Sequence, residues 1–376
     1  MHTYTSLSLI AAILLATIFD AVPTIALTSS ASHSTTFHHD ARHISDYRPT
    51  MRNSTTNGLL NWRYTTRGGV ISSPTVANGI VYIGSNDSNI YALNARTGSK
   101  VWSYATGNAV YSSPIVANNI VYVGSNDSNI YALSATTGAK IWSYKTGDAV
   151  QSNPIIANNI VYVGSNDNNL YALNAATGAK IWSYTTGDAV ISSPAVAYGI
   201  VYVGSYDNNL YALNAATGAK IWNFTTYDAV YSSPTVASRM VYVGGVDHYL
   251  YAFDAWTGTL MWCYKTGDSV YSSPTVANGM VYVGSDDNNT YAFNATNGAK
   301  IWSYTTGDVV ESNPTVAKGI VYIGSDDNNV YALDAKIGGV MWSFLTGDSV
   351  VSSPAIANDI VYVGSCDNNI YALGKP

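Results

Sequence analysis

A 40-residue period governs this chain. Tryptophan recurs at Trp62, Trp102, Trp142, Trp182, Trp222, Trp262, Trp302 and Trp342, and a proline series runs from Pro74 to Pro354 at the same interval. The stretch Trp182–Ile221 shows the unit most clearly, and its neighbours repeat it with almost no insertions or deletions. So strict a period calls for like units stacked on one another, each covering its neighbour's apolar face.

Each unit reads as four short strands. From Val190 the first is VISSPAVA, turning at Tyr198-Gly199; the second is IVYVGS, turning over Tyr206 to Asn209. The third is LYALNA, and the Thr217-Gly218 turn leads into the fourth, KIWNF. These runs are rich in Val, Ile and Tyr and are bounded by Gly, Asn and Asp, the residues of strands and tight turns. Over Ile200 to Val203 both alternating faces are apolar, so both faces of each sheet must be covered. The expected fold is therefore all-β, an eight-bladed β-propeller of four-stranded antiparallel blades around an axis. A solenoid has the same kind of period, but its parallel strands need no hairpin turns at these spacings.

Strand counting gives the closure. Innermost strands are expected to begin near Val70, Val110, Val150, Val190, Val230, Val270, Val310 and Val350. The first Trp strand, Leu60 to Thr66, precedes all of them, whereas the last unit ends at its third strand, Tyr371 to Leu373. The N-terminal strand should thus complete the last blade and remove an open sheet edge. Pro74 and its equivalents suit the innermost strand, because its free edge faces the axial channel and needs no N–H there.

With 11% charged residues and a net charge of −6, the chain offers no electrostatic footprint for nucleic acid. Leu7–Phe19 is a 13-residue apolar run, short for a membrane span. Small residues follow it, with cleavage expected after Ala26 or Ala31, although the preceding residues include His2 and no Lys or Arg. The expected division is 1–31 signal peptide or short anchor, 32–58 polar lead-in and 59–376 propeller. That predicts a secreted or cell-surface monomer with no integral membrane domain after signal removal. Cys263 and Cys366 occupy non-equivalent positions and form no disulfide framework. Sequons at Asn53, Asn86, Asn126, Asn223, Asn288 and Asn294 matter only where exported proteins are glycosylated.

The recurring VYVGSxDxxxYALxAxTGxxxW, seen at Val161–Trp182 and Val201–Trp222, resembles the pyrroloquinoline-quinone-like β-propeller repeat. The resemblance covers Leu60 to Leu373, and Phe37–Pro49 is similar to the segment before the first blade in exported, often archaeal, members. The family includes quinoprotein dehydrogenases, a propeller lipoprotein that assists outer-membrane protein assembly, and surface proteins without an assigned activity. The resemblance implies the fold; it also implies that the tryptophans are structural and pack between blades, beside the Thr-Gly turn of the preceding connection. Activity does not follow from the fold.

Within the unit, Gly84 and Gly204 are expected to admit a neighbouring aromatic ring. Asp87, Asp127, Asp167, Asp207, Asp247, Asp287, Asp327 and Asp367 are expected to cap turn amides. Calcium is an alternative there, since hard cations take oxygen ligands, but the spacing lacks a DxDxDG pattern. These aspartates should share one face with Asp148, Asp188, Asp228, Asp268, Asp308 and Asp348. Arg96, Lys100, Lys140, Lys180, Lys220, Lys300, Lys318 and Lys336 should lie on the other.

One position breaks the copying: Ile71, Tyr111, Gln151, Ile191, Tyr231, Tyr271, Glu311 and Val351. Tyr111, Gln151, Tyr231, Tyr271 and Glu311, with Asn153 and Asn313 in place of Ser, are the candidates to line a channel mouth and bind a ligand or partner. Drifted copies packed between blades would leave the same pattern. No catalytic set, metal site or cofactor is nominated; pyrroloquinoline quinone and calcium are the alternatives. A quinoprotein dehydrogenase needs non-repeated groups around its quinone and shows a vicinal cysteine pair, whereas here the cysteines are isolated. The reading favoured is a non-catalytic exported scaffold whose partner is a protein or cell-envelope component. An envelope protein-assembly scaffold is second and a quinone-dependent dehydrogenase third.

Overall fold

The computed structural model describes residues 58–374. The apolar run Leu7–Phe19 and the segment 32–57 lie outside the described residues. Eight four-stranded antiparallel sheets follow one another as blades. Blade 1 spans Thr75–Ala105, and blade 8 combines Ala355–Leu373 with the N-terminal strand Leu60–Thr65. Seven blades take their strands in chain order from the innermost outward, and only the eighth borrows its outermost strand from the other end of the chain.

The innermost strands are shorter than the sequence suggests. They cover three residues, such as Thr75–Ala77, and start just after the proline rather than near Val70. The backbone amides of Val70 and Ser73 bond across blades instead of within their own sheet. The Val110 N–H, for example, donates to Ser85 O of the preceding blade at 3.1 Å. Proline has no N–H to contribute to a ladder, so pairing begins only beyond it.

The apolar core lies between blades. One cluster joins Tyr82, Ile90 and Trp102 of blade 1 to Val110, Val121, Val123 and Leu133 of blade 2. Gly84 and Gly204 serve this seam, but not by admitting an aromatic. A Cβ at Gly204 would lie 2.5 Å from both Cγ1 and the carbonyl oxygen of Val230 in the next blade. Every blade thus wedges a valine into a gap that only glycine leaves.

Tryptophan seals the outer end of the seam. Trp182 packs on the Thr-Gly turn of the following blade, at Gly218, rather than on that of the preceding connection. Its indole N–H donates to Ala215 O at 3.0 Å, and Tyr162 Oη donates to the same carbonyl at 2.9 Å. A large apolar body with one polar tip suits a buried seam that holds one free carbonyl.

The same contacts cross the junction of the chain ends. Trp62 pairs with Ala372 and Thr65 with Asn369 in the ladder. Trp62 Nε1 and Tyr362 Oη, both in blade 8, donate to Ala95 O of blade 1 at 2.9 and 3.0 Å. Blade 8 and blade 1 share a core cluster containing Trp62, Ile370 and Leu93. Deleting Leu60–Thr66 should remove more than the about 3–5 kcal/mol typical of losing one large core aromatic. Calorimetry should then show a lower and less cooperative melt; an unchanged single transition would refute closure by this strand.

Candidate functional site

The innermost edges are joined in a closed circle of hydrogen bonds. The Ser73 N–H donates to Ser113 Oγ at 2.9 Å, and the Ser113 N–H to Asn153 Oδ1 at 2.6 Å. The pattern continues through Ser193, Ser233 and Ser273 to Asn313. It ends where the Asn313 N–H meets Ser353 Oγ at 3.0 Å and the Ser353 N–H meets Ser73 Oγ at 2.9 Å. Asn153 and Asn313 therefore act as acceptors in a structural ring, and the donating N–H fixes which end of each amide faces it.

A second serine ring lies beside the first. Ser192 Oγ accepts from Gly204 N of its own blade at 3.1 Å and donates to Ser232 O of the next at 3.0 Å. These buried hydroxyls give the sheet's unpaired edge its partners.

The repeated turn aspartates cap amides as expected, and they also tie blades together. Asp127 accepts from Asn129 N at 3.0 Å, Tyr131 Oη at 2.7 Å and Gly107 N, in the connection from the preceding blade, at 2.6 Å. Burial pushes Asp87, Asp127, Asp207, Asp327 and Asp367 upward, but hydrogen bonds from tyrosine, asparagine and backbone more than offset it and hold them low. The Gly107 contact puts hairpins and inter-blade connections on one face, which gathers the two aspartate series there.

On that face the variable ring surrounds a cavity of about 420 Å³. All seven sequence-selected residues, Tyr111, Gln151, Asn153, Tyr231, Tyr271, Glu311 and Asn313, line it, together with Ile71, Ile191 and Val351. The distribution is lopsided. Tyr231, Tyr271 and Glu311 come from three consecutive blades, and the Tyr231 and Tyr271 rings stand 5.1 Å apart at 85°.

Sequence reasoning missed a second variable ring, at Asn86, Asn126, Asn166, Tyr206, Val246, Asp286, Asp326 and Cys366. Its signal was present, since these residues all precede the repeated Asp and differ among blades. Tyr206 lies 6.0 Å from Tyr231, ring to ring. The Asp286 N–H bonds to Ser269 O, two residues before Tyr271, so its side chain sits beside the mouth. The Oδ1 atoms of Asp286 and Asp326 are shut off from solvent and accept no hydrogen bond.

This group carries unbalanced negative charge. Burial first, then Glu311, Asp268, Asp326 and Asp287, raise Asp286 to about 7. Burial and Asp326 raise Glu311; burial and then Asp308, Asp327 and Asp348 raise Asp326. Burial, followed by Asp348, Asp326, Asp367 and Glu311, pushes the Cys366 thiol up to about 11, which leaves it a poor nucleophile. Among the described residues no group of three or more His, Cys, Asp or Glu is placed to hold a metal ion.

The opposite face has its own departure from the repeat. Arg239 stacks 4.1 Å from the Trp256 ring and pairs with Asp254 at 2.9 Å, while Tyr198 meets Trp256 edge-on. Cys263 is free and exposed, and Cys366 is also free.

Two tests follow from the ring and its charge. Ser193→Ala leaves the Asn153 N–H without its acceptor and should cost about 1–3 kcal/mol in urea unfolding. Ser193→Asn, the residue used by two other blades, should recover most of that loss. The raised Asp286 binds a proton in the folded state that the unfolded chain has already lost, so its contribution falls as pH rises from the ordinary aspartate value to about 7. The lowered turn aspartates contribute above the ordinary aspartate value and lose that contribution as pH falls through their folded values. Melting temperature should therefore peak on the acidic side of neutrality, and Asp286→Asn should flatten the decline toward pH 7.

Comparison with known proteins agrees with this geometry. The family profile described as outer membrane protein assembly factor BamB matches residues 44–156, 126–235, 189–270, 229–310 and 304–375. No curated protein matches the sequence. BamB from Moraxella catarrhalis is 20% identical with a TM-score of 0.72, covering 84% of this chain and 99% of its own. The computationally designed Ika8 protein is 17% identical with a TM-score of 0.76, covering 85% of this chain and 100% of its own. Quinohemoprotein alcohol dehydrogenase from Comamonas testosteroni is 16% identical with a TM-score of 0.79, covering 91% of this chain and 81% of its own. At such identities these structures share the fold alone. Successive profile matches across all eight blades place the chain in the pyrroloquinoline-quinone-like β-propeller repeat family, in the group described by BamB.

Proposed function

We propose that this protein is a non-catalytic propeller scaffold, exported to the cell envelope or surface, that binds a protein or envelope component through the acidic mouth. One observation carries the reading: the residues that vary from Ile71 to Val351, one from each blade, converge on a single cavity. A repeat copied this closely elsewhere supplies a rigid frame, and side chains on a rigid frame make a preorganised surface. The family description, an outer membrane protein assembly factor, supports an assembly role as the particular form of this reading.

A quinone-dependent dehydrogenase is the competing reading, because the structural neighbours include quinohemoprotein alcohol dehydrogenases. The side chains here suit its cofactor poorly. Pyrroloquinoline quinone carries carboxylates, while the cavity has no Lys, Arg or His in its lining and holds Glu311, with Asp286 and Asp326 nearby. Bringing like charges together in a partly buried site is unfavourable. The cysteines are in different blades and cannot form the vicinal pair.

Photo-crosslinking separates the possibilities. A photoreactive residue replacing Tyr111 at the mouth should yield discrete adducts in intact envelope, whereas one replacing Trp256 on the opposite face should not. Equal labelling from both faces, or none from the mouth, would overturn the assignment. Dye reduction after addition of pyrroloquinoline quinone and calcium would favour the dehydrogenase instead.

A further inference from the structure

The mouth pairs two aromatic walls with excess negative charge. Tyr231 and Tyr271 meet at 85° with centroids 5.1 Å apart, which makes a corner rather than a stack. Glu311 follows from the next blade and lines the same cavity. Tyr206 backs Tyr231 from the preceding blade, and the charges of Asp286 and Glu311, and of Glu311 and Asp326, act on each other. Ile191 and Val351 flank this arc in the adjoining blades, and Ile71, Tyr111 and Gln151 lie across the mouth from it, so the negative charge, though not the polarity, is one-sided.

This combination selects a particular chemistry. Aromatic faces attract cations through their negative quadrupole, and weakly hydrated organic ammonium groups lose little on leaving water. The carboxylates supply the counter-charge, and no basic side chain in the lining competes for it. Asp286 Oδ1 and Asp326 Oδ1, like the Oδ1 atoms of Asn86, Asn126 and Asn166 at the same position in other blades, are buried without a donor among the described residues; only in the two aspartates can that oxygen carry charge, which a cation nearby would stabilise. Glu311 is raised by burial and by Asp326, and Asp286 by burial and by Glu311, so a bound cation would stabilise both ionised. A metal ion fits less well, because it needs several oxygen ligands converging at one point, and the described residues offer no such group.

We propose that this cavity binds an alkylammonium group, held against the edge-to-face pair of Tyr231 and Tyr271 and neutralised by Glu311. The group can come from a free methylated amine or from a lysine side chain of a bound protein. The inference rests on the reading of the mouth as a binding surface and names the chemistry that surface recognises.

The repeat itself supplies variants that fold. Glu311→Gln installs the residue that blade 3 carries at this position, and Tyr271→Ile the residue of blades 1 and 4. Calorimetric titration of the full chain should use tetramethylammonium, n-butylammonium, a neutral tert-butyl alcohol analogue, a lysine peptide and its acetyl-lysine counterpart. We expect saturable binding of an ammonium probe, at least fivefold weaker in each variant, with the neutral analogue and the acetylated peptide inactive. Binding of the small cations alone identifies a free amine as the source, and binding of the lysine peptide but not its acetylated form identifies a protein. The proposal is overturned if no ammonium probe saturates, if the neutral analogue binds equally, if calcium displaces the probe, or if both variants bind normally while melting like the wild type. Ammonium binding without crosslinked partners from Tyr111 would remove the scaffold reading and leave the cation site standing.

Discussion

The structure depends on the innermost edge of each blade giving its unpaired backbone groups to the next blade. A proline just before a three-residue strand leaves a stretch of backbone with no sheet partner, and buried amides without partners are costly. The serine and asparagine side chains around the channel answer that need blade by blade. Because Ser353 donates to Ser73, the circle has no end. Its last link exists only if the two termini of the repeat array meet, which the N-terminal strand ensures by completing blade 8.

The same directionality appears at every radius. Near the axis a serine takes the neighbouring amide, farther out a valine fills the gap beside Gly204, and at the rim Trp182 and Tyr162 share the Ala215 carbonyl. Most of these contacts recur at 40-residue steps, with Asn153 and Asn313 replacing serine in two blades and Trp342 Nε1 lacking the carbonyl partner among the described residues, and each one fixes both of its partners. A change in one would have to be matched in the next unit, which accounts for how little these positions drift. The variable side chains from Ile71 to Val351 face the channel, where no hydrogen bond of the serine and asparagine circle is required of them. Variation collects there because packing permits it.

Charge divides along the same line. Turn aspartates such as Asp127, which accepts from two backbone amides, a tyrosine hydroxyl and an asparagine amide, sit comfortably as carboxylates. Asp286, Asp326 and Glu311 lack that support, and burial together with one another's charge works against their ionisation. A rigid ring can hold such groups in place, and sites that break local rules at a stability cost are where binding chemistry is found.

Much of this was written in the sequence. The 40-residue period, the hairpin turns and the offset between the first Trp strand and the last unit determine an eight-bladed ring closed by Leu60–Thr65, because period and strand count are properties of the chain order. The variable ring from Ile71 to Val351 was legible for the same reason: against near-identical copies, differences stand out. What remained hidden were relations between blades. That Gly204 receives a valine, that Trp182 seals the following rather than the preceding turn, and that Asn153 serves a structural circle all depend on distances across an interface. The second ring, with Tyr206, Asp286 and Asp326, varies as openly as the first, yet only the folded ring sets Tyr206 against Tyr231 and Asp286 beside Glu311. A repeat determines its own copying, but the meeting of residues from different copies at one mouth is decided by the closure of the ring.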